Sequence, residues 1–225
     1  KGNIIKTFTS MNLDEKIISA LKDLNYEEAT EIQKKAIPIA LKKRDILAAA
    51  QSGTGKTAAF LLPILTEIME NKQPNVPILR ALILVPTREL ATQIAKAVED
   101  YAKYLDIEKL AVVGGVSTKD QEKKIAKGID ILVATSGRLM EHLKNRTVDL
   151  SSVTTVVIDE VDTLLDMGFL EDIEKILPSV GPKRQIMMFS ATMTQNVKKL
   201  AKEFLQDPVV IEVAQQRSAV KIIDQ

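Results

Sequence analysis

Along this chain a short run of apolar, often β-branched residues is followed by a polar corner, then by a segment of helical period, again and again. Residues 45–50 lead into a glycine loop and a helix over about 56–70. Residues 81–85 lead into Pro86-Thr87-Arg88-Glu89 and a helix to about 105, and 110–113 into Gly114-Gly115 and a helix near 119–127. Residues 131–134 reach Thr135-Ser136-Gly137-Arg138 and a helix ending near 144. Further on, 155–158 runs into Asp159-Glu160-Val161-Asp162, 185–189 into Ser190-Ala191-Thr192 and a helix to about 204, and 209–213 closes the series. Strands buried on both faces read as unbroken apolar runs, and helices between them make parallel βαβ crossovers. The pattern predicts an α/β domain with a mostly parallel central sheet flanked by helices. Ligands of such open sheets sit beyond the carboxyl ends of the strands, so six polar corners should converge on one rim.

The chain has 225 residues, room for one substantial domain and a short appendage. Two helical segments, near 13–24 and 30–41, precede the first strand, and Leu13, Ile17, Leu21 and Leu24 share one apolar face. They should pack on the sheet domain as an N-terminal addition. A net charge of only +1 means that any nucleic-acid site must be a local arrangement rather than a bulk effect. With no cysteine, disulfides, thiolate catalysis and cysteine-bound zinc are excluded. The longest apolar stretches, such as 58–65, fall short of the roughly 18 residues a membrane span needs. Residues 1–10 lack a secretory apolar core. A cytoplasmic protein without membrane association is expected, and a monomer. His142, the one histidine, falls inside a predicted helix and reads as packing or surface, not as a ligand or acid–base group.

Ala50-Gln51-Ser52-Gly53-Thr54-Gly55-Lys56-Thr57 stands between an apolar run and a helix and matches the Walker A pattern, with Ala50 in place of its first glycine. Successive backbone N–H groups in such a loop cup phosphate oxygens, and the helix N-terminus adds favourable partial charge. Gly53 and Gly55 permit the tight turn; Lys56 would reach the β/γ-phosphates and the Thr57 hydroxyl would ligate Mg²⁺. About a hundred residues on, Val156-Val157-Ile158 delivers Asp159 and Glu160 to the same rim, a Walker B arrangement. Asp159 would hold Mg²⁺ directly or through water, and Glu160 would orient the attacking water or accept its proton. Taken alone, these acids would also suit the first turn of a helix.

At these residues the chain resembles the DEAD-box family of superfamily-two RNA helicases, over residues 8 to about 213. Gln51 to Thr57, Pro86-Thr87-Arg88-Glu89-Leu90, Gly114-Gly115, Thr135-Ser136-Gly137-Arg138, Asp159-Glu160-Val161-Asp162 and Ser190-Ala191-Thr192 occur in the family's order. The resemblance implies a RecA-like P-loop domain, the N-terminal one of two, that binds ATP or ADP with Mg²⁺. An adenine-reading motif is implied at Asn25 to Gln33, with the Gln33 amide pairing adenine, Tyr26 beside it and Phe8 stacking on the base. Pro86, Thr87, Arg88, Gly115, Thr135, Gly137 and Arg138 are implied to hold single-stranded RNA by its backbone, a mode of contact blind to base identity. Asp162, Ser190 and Thr192 are implied to hydrogen-bond and to couple nucleotide state to domain movement.

The chain departs from the family's usual pattern in places. Asn25, Tyr26, Ala29 and Glu31 stand where the family has glycine, phenylalanine and two prolines, which bears on that loop's rigidity more than on Gln33. Val161 replaces an alanine, adding bulk near Ser190 and Thr192, and Ser136 replaces a proline. The expected division is an N-terminal helical addition over 1–41, a RecA-like domain over 42–215, and at 216–225 the start of a linker. The family's second RecA-like domain, with the arginines that complete its ATPase site, has no match in this chain, which alone should hydrolyse ATP poorly or not at all. Two other readings stay open: a nucleotide-gated RNA clamp or scaffold, and a DNA-directed translocase of the same superfamily.

Overall fold

A computed structural model describes residues 7–72 and 76–213; the linker expected at 216–225 lies outside them. All seven expected strands form: β1 Ile46–Ala49, β2 Ala81–Val85, β3 Lys109–Val112, β4 Ile131–Thr135, β5 Thr155–Ile158, β6 Gln185–Ser190 and β7 Val209–Glu212. They make one sheet in the order β3-β4-β2-β5-β6-β1-β7, every neighbouring pair parallel. The upper ends are level: Val85 pairs with Thr135, Leu84 with Ile158, Ile158 with Met188, and Ala49 with Ser190. The six corners therefore do emerge along one rim.

Between the strands run α3 Lys56–Asn71, α4 Arg88–Tyr101, α5 Thr118–Ala126, α6 Ser136–Lys144, α7 Val161–Asp166, α8 Leu170–Ile176 and α9 Gln195–Phe204, after α1 Glu15–Asp23 and α2 Glu31–Leu41. Alternate residues of each strand face opposite sides of a sheet, which is why both faces are apolar here. Ile46, Ala48, Ile83, Val133, Val157 and Phe189 join a core under α1 to α4; Leu47, Leu82, Leu132, Val156, Ile158 and Met188 join a second core under α6 to α9. Ala58 to Leu65 are buried throughout, so this apolar run is a core helix wedged against the sheet, Phe60 packing on Phe189 with ring centroids 5.4 Å apart. Among the described residues no helix is long and apolar enough to cross a membrane.

The N-terminal helices pack on α3 and α4. Asp14 caps α1 by accepting the Lys16 N–H at 2.8 Å, and the helix closes with Tyr26 N–H on Leu21 O and Asn25 N–H on Lys22 O. That closure needs a left-handed residue after the last turn, and Asn25 supplies it at φ 58°. Asparagine tolerates this region far better than most residues, so the missing glycine does not open the loop. The short helices α7 and α8 are not predicted by periodicity. Gly168, at φ 86°, breaks them after little more than a turn, too few residues for a helical period to declare itself.

Candidate functional site

The loop after β1 turns through two left-handed glycines, Gly53 at φ 78° and Gly55 at φ 92°, and releases α3 with Lys56 as its first residue. A Cβ at Gly53 would meet nothing within 4 Å, so the turn is open beside Gly53, while at Gly55 it is closed by Gln33 and Thr30. Lys56 is 6% exposed; its Nζ lies 3.2 Å from Asp159 Oδ1 yet makes no hydrogen bond. A buried ammonium with one imperfect partner is under-satisfied, and phosphate oxygens are the natural complement at a helix N-terminus. Thr57 follows on the same turn, half-buried. Among the described residues no three His, Cys, Asp or Glu cluster to hold a metal by themselves. The oxygen donors present are the Thr57 hydroxyl and the Asp159 carboxylate, the ligand type that Mg²⁺ takes.

Asp159 and Glu160 sit just beyond β5. The Asp159 N–H continues the ladder onto Leu84 O at 3.0 Å, and its Oδ1 accepts the Glu160 N–H at 2.9 Å. Burial pushes the Asp159 carboxyl above its ordinary range, against the pull of Lys56. Glu160 is also pushed up, by burial first and then by the neighbouring charge of Asp159. Its backbone is left-handed, φ 51° and ψ 51°, a costly conformation for a side chain of this kind. Val161 turns wholly into the core beside Ile158 and Leu164, so its extra bulk is absorbed there. Asp162 faces the corner after β6: its Oδ2 accepts from Thr192 N–H at 2.9 Å and from the Thr192 hydroxyl at 2.8 Å, while its own N–H donates to Ser190 Oγ at 3.2 Å. Burial works to raise the Asp162 carboxyl, but these hydrogen bonds outweigh it and hold the group below its ordinary range.

Beside the glycine loop opens a cavity of about 720 Å³. Gly53, Gly55, Lys56 and Thr57 line one side, with Tyr26, Thr30 and Gln33 from the N-terminal motif; Ser52 and Thr54 are not among the lining residues. Gln33 is 3% exposed, and both ends of its amide are occupied: Oε1 accepts the Thr30 N–H at 2.8 Å and Nε2 donates to Gly55 O at 3.1 Å. It thus completes a capping box with Thr30 at the start of α2 and ties this motif to the glycine loop. A base pairing with this amide must displace those contacts. Phe8 does not line this cavity. Its ring, 3% exposed, belongs to the core beneath α1, because a turn of 3₁₀ helix and the Thr7–Glu28 bridge draw it inward. The far wall is Leu90, Gln93, Ala97 and Tyr101 of α4. Their spacing marks one helical stripe, but a stripe does not say which cavity it faces.

Three more corners meet toward the β3 edge. Pro86 is buried, and Thr87 caps α4 by accepting the Leu90 N–H at 3.2 Å. Arg88 is exposed and donates to Gly114 O at 3.1 Å. Gly115 has φ 76°, a backbone that strains other residues, and a Cβ there would lie 2.1 Å from Arg88 Nη1 and displace the guanidinium. Thr135, half-buried, precedes α6, and Gly137 is exposed with open space around it. Arg138 departs from expectation. Its side chain is 13% exposed, and its guanidinium is engaged by Val116 O, Thr118, Gln121 and Glu141. It is not presented as a free cation. His142 is fully buried, packed as expected but also hydrogen-bonded to Thr147 and Gln121.

A profile of the DEAD/DEAH box helicase family matches residues 30–200. The chain is 40% identical to the RNA helicase CrhR of Synechocystis sp., covering 100% of this chain and 44% of that protein. It is 40% identical to the ATP-dependent RNA helicase CshA of Listeria monocytogenes, covering 97% and 41%. The chain therefore spans less than half the length of these curated relatives. Its fold superposes with a TM-score of 0.87 on the crystal structure of a DEAD box protein from the hyperthermophile Methanococcus jannaschii, at 35% identity over 92% of this chain and 56% of that one. Fold, motif order and a 40% identity that runs the length of the chain agree: the chain belongs to the DEAD/DEAH box helicase family.

Proposed function

We propose that this chain is the ATP-binding half of an ATP-dependent RNA helicase, working with a second RecA-like domain. One observation carries the reading: the buried, under-satisfied Lys56 ammonium, 3.2 Å from Asp159, at the mouth of an open glycine turn. The turn's N–H groups and Lys56 would hold the phosphates of ATP or ADP. Thr57 and Asp159 would hold Mg²⁺, which would offset negative charge that develops on the phosphates during transfer. Gln33 and Tyr26 would face the base. Glu160, raised above the ordinary carboxylate range by burial and by Asp159, is suited to take the proton of an attacking water.

On the β3 side, Arg88 and the open corners at Gly115, Thr135 and Gly137 would take the sugar–phosphate backbone of single-stranded RNA, with 2′-hydroxyl contacts favouring RNA over DNA. The Asp162–Ser190–Thr192 contacts join the nucleotide rim to the corner after β6, a route by which nucleotide state would reach a partner domain. Arginines from the second domain would complete the hydrolytic site; a missing arginine of this kind lowers turnover by about 10³–10⁵. The test is ATPase activity of a protein joining this chain to its second domain. RNA should stimulate it and Glu160→Gln should abolish it. Equal stimulation by DNA would favour the DNA-directed translocase, and undiminished activity in Glu160→Gln would remove that carboxylate from the chemistry.

A further inference from the structure

Beneath the glycine corner after β3 lies a polar cluster to which none of these roles is assigned, and it is almost sealed from solvent. Gln121 of α5 is 2% exposed and His142 of α6 is 0% exposed. Gln121 Nε2 donates to Val113 O at 3.0 Å, which fixes the way the amide points. Its Oε1 then faces inward, accepting from Arg138 Nη1 at 3.2 Å and lying 2.9 Å from His142 Nε2. A carbonyl oxygen has no proton to give, so His142 Nε2 carries the hydrogen. The one hydroxyl proton of Thr147 has two acceptors in reach, His142 Nδ1 at 2.7 Å and His142 O at 3.2 Å, and the neutral ring that burial favours gives it to Nδ1. Burial, with the Arg138 charge adding to it, holds the imidazole below its ordinary range, and Glu122 and Glu141 only partly oppose this.

The cluster closes on the loop above it. The carbonyls of Val113, Gly114 and Val116 are each taken by a side chain: Gln121, Arg88 and Arg138. Among the described residues the N–H groups of Gly114, Gly115 and Ser117 donate to no protein acceptor. A two-glycine loop has little of its own to hold a shape, since glycine restricts the backbone least. Side chains that fix its carbonyls leave its N–H groups as the donors available to an anion, the logic of a backbone nest.

We infer that Arg138, Gln121 and His142 form a relay that positions residues 113–118 to grip nucleic-acid phosphates, with Arg138 acting through the loop rather than as a phosphate ligand. The inference rests on the RNA reading above. It corrects what the family resemblance implies for Arg138 and gives the single histidine a positioning role.

The experiment has two readouts on the whole chain. Nitrogen NMR of the imidazole should find a neutral ring protonated at Nε2, and Gln121→Leu should shift the amide resonances of 114–118. RNA affinity, measured by fluorescence anisotropy over a range of salt, should fall about tenfold in Arg138→Gln, Gln121→Leu and His142→Phe, with the log–log salt slope unchanged. His142→Gln, whose amide can replace the Nε2 donor, should recover most of the loss. A slope lowered by about 0.7 in Arg138→Gln would make that residue a phosphate ligand and overturn the inference. Unmoved loop resonances in Gln121→Leu, or a His142→Gln variant no better than His142→Phe, would overturn it too. A wild-type chain that binds no RNA, with the imidazole and loop signals as expected, would instead refute the functional reading and leave the relay as a feature of the loop alone.

Discussion

Glu160 combines two kinds of strain, a left-handed backbone and a partly buried carboxylate crowded by Asp159 and Asp162. The backbone term costs a residue of this kind about 1–2 kcal/mol. Asparagine bears that conformation better and removes one charge, so Glu160→Asn should raise unfolding free energy by about 0.5–1 kcal/mol while abolishing hydrolysis. Denaturant melts paired with an ATPase assay would check both halves. The pH sign follows from burial first and then from that crowding. Glu160 is raised in the folded state, so its acid form persists above the ordinary value of 4.5. A base must be ionised, and hydrolysis should therefore fall on acidification at a pH above 4.5; an acid limb at or below that value would contradict the assignment. Asp162 behaves oppositely. Its folded pKa is depressed, so its stabilising contribution is complete above 3.8 and is lost only as pH falls through the folded value. Asp162→Asn should cost about 1–2 kcal/mol, the same at pH 6 as at pH 8.

At the scale of elements, how the chain begins and ends its helices decides what each corner can present. Ser136 is the first residue of α6, its hydroxyl is buried without a partner, and Thr135 before it is extended at φ −82° and ψ 142°. Proline suits the first helical position, where the N–H has no intrahelical partner, and an extended residue before it is what proline requires. Ser136→Pro should therefore stabilise the chain by about 0.4–1 kcal/mol, visible as a higher melting temperature; a loss would mean that the serine hydroxyl has a use not apparent from its surroundings. Gly115→Ala should do the reverse, meeting both the left-handed backbone and the Arg88 guanidinium. These points were only partly legible beforehand. Apolar runs and turn residues located the strands, the glycine loop and the starts of most helices, because each is encoded within a few neighbouring residues. Motif spacing places a backbone but does not say whether the side chain ends in solvent, in a core or in a cluster, as the buried Phe8 and the engaged Arg138 illustrate. Gln93 and Tyr101 had no signal that separated a cavity wall from an ordinary packed face.

For the molecule as a whole, the strand order β3-β4-β2-β5-β6-β1-β7 is what brings Lys56, after β1, within reach of Asp159, after β5. No local residue encodes that order. It follows from parallel crossovers that must bury both faces of a sheet, so the rim was foreseeable while the neighbours along it were not. Everything assigned to the site depends on that rim receiving a magnesium-bound polyphosphate. Titration calorimetry of the folded chain with ADP and Mg²⁺ addresses it most directly. Saturable binding that weakens at least tenfold in Lys56→Ala, the loss of one charge-assisted phosphate contact, is the predicted result. Absence of binding by the folded wild type, or equal affinity in Lys56→Ala, would contradict it.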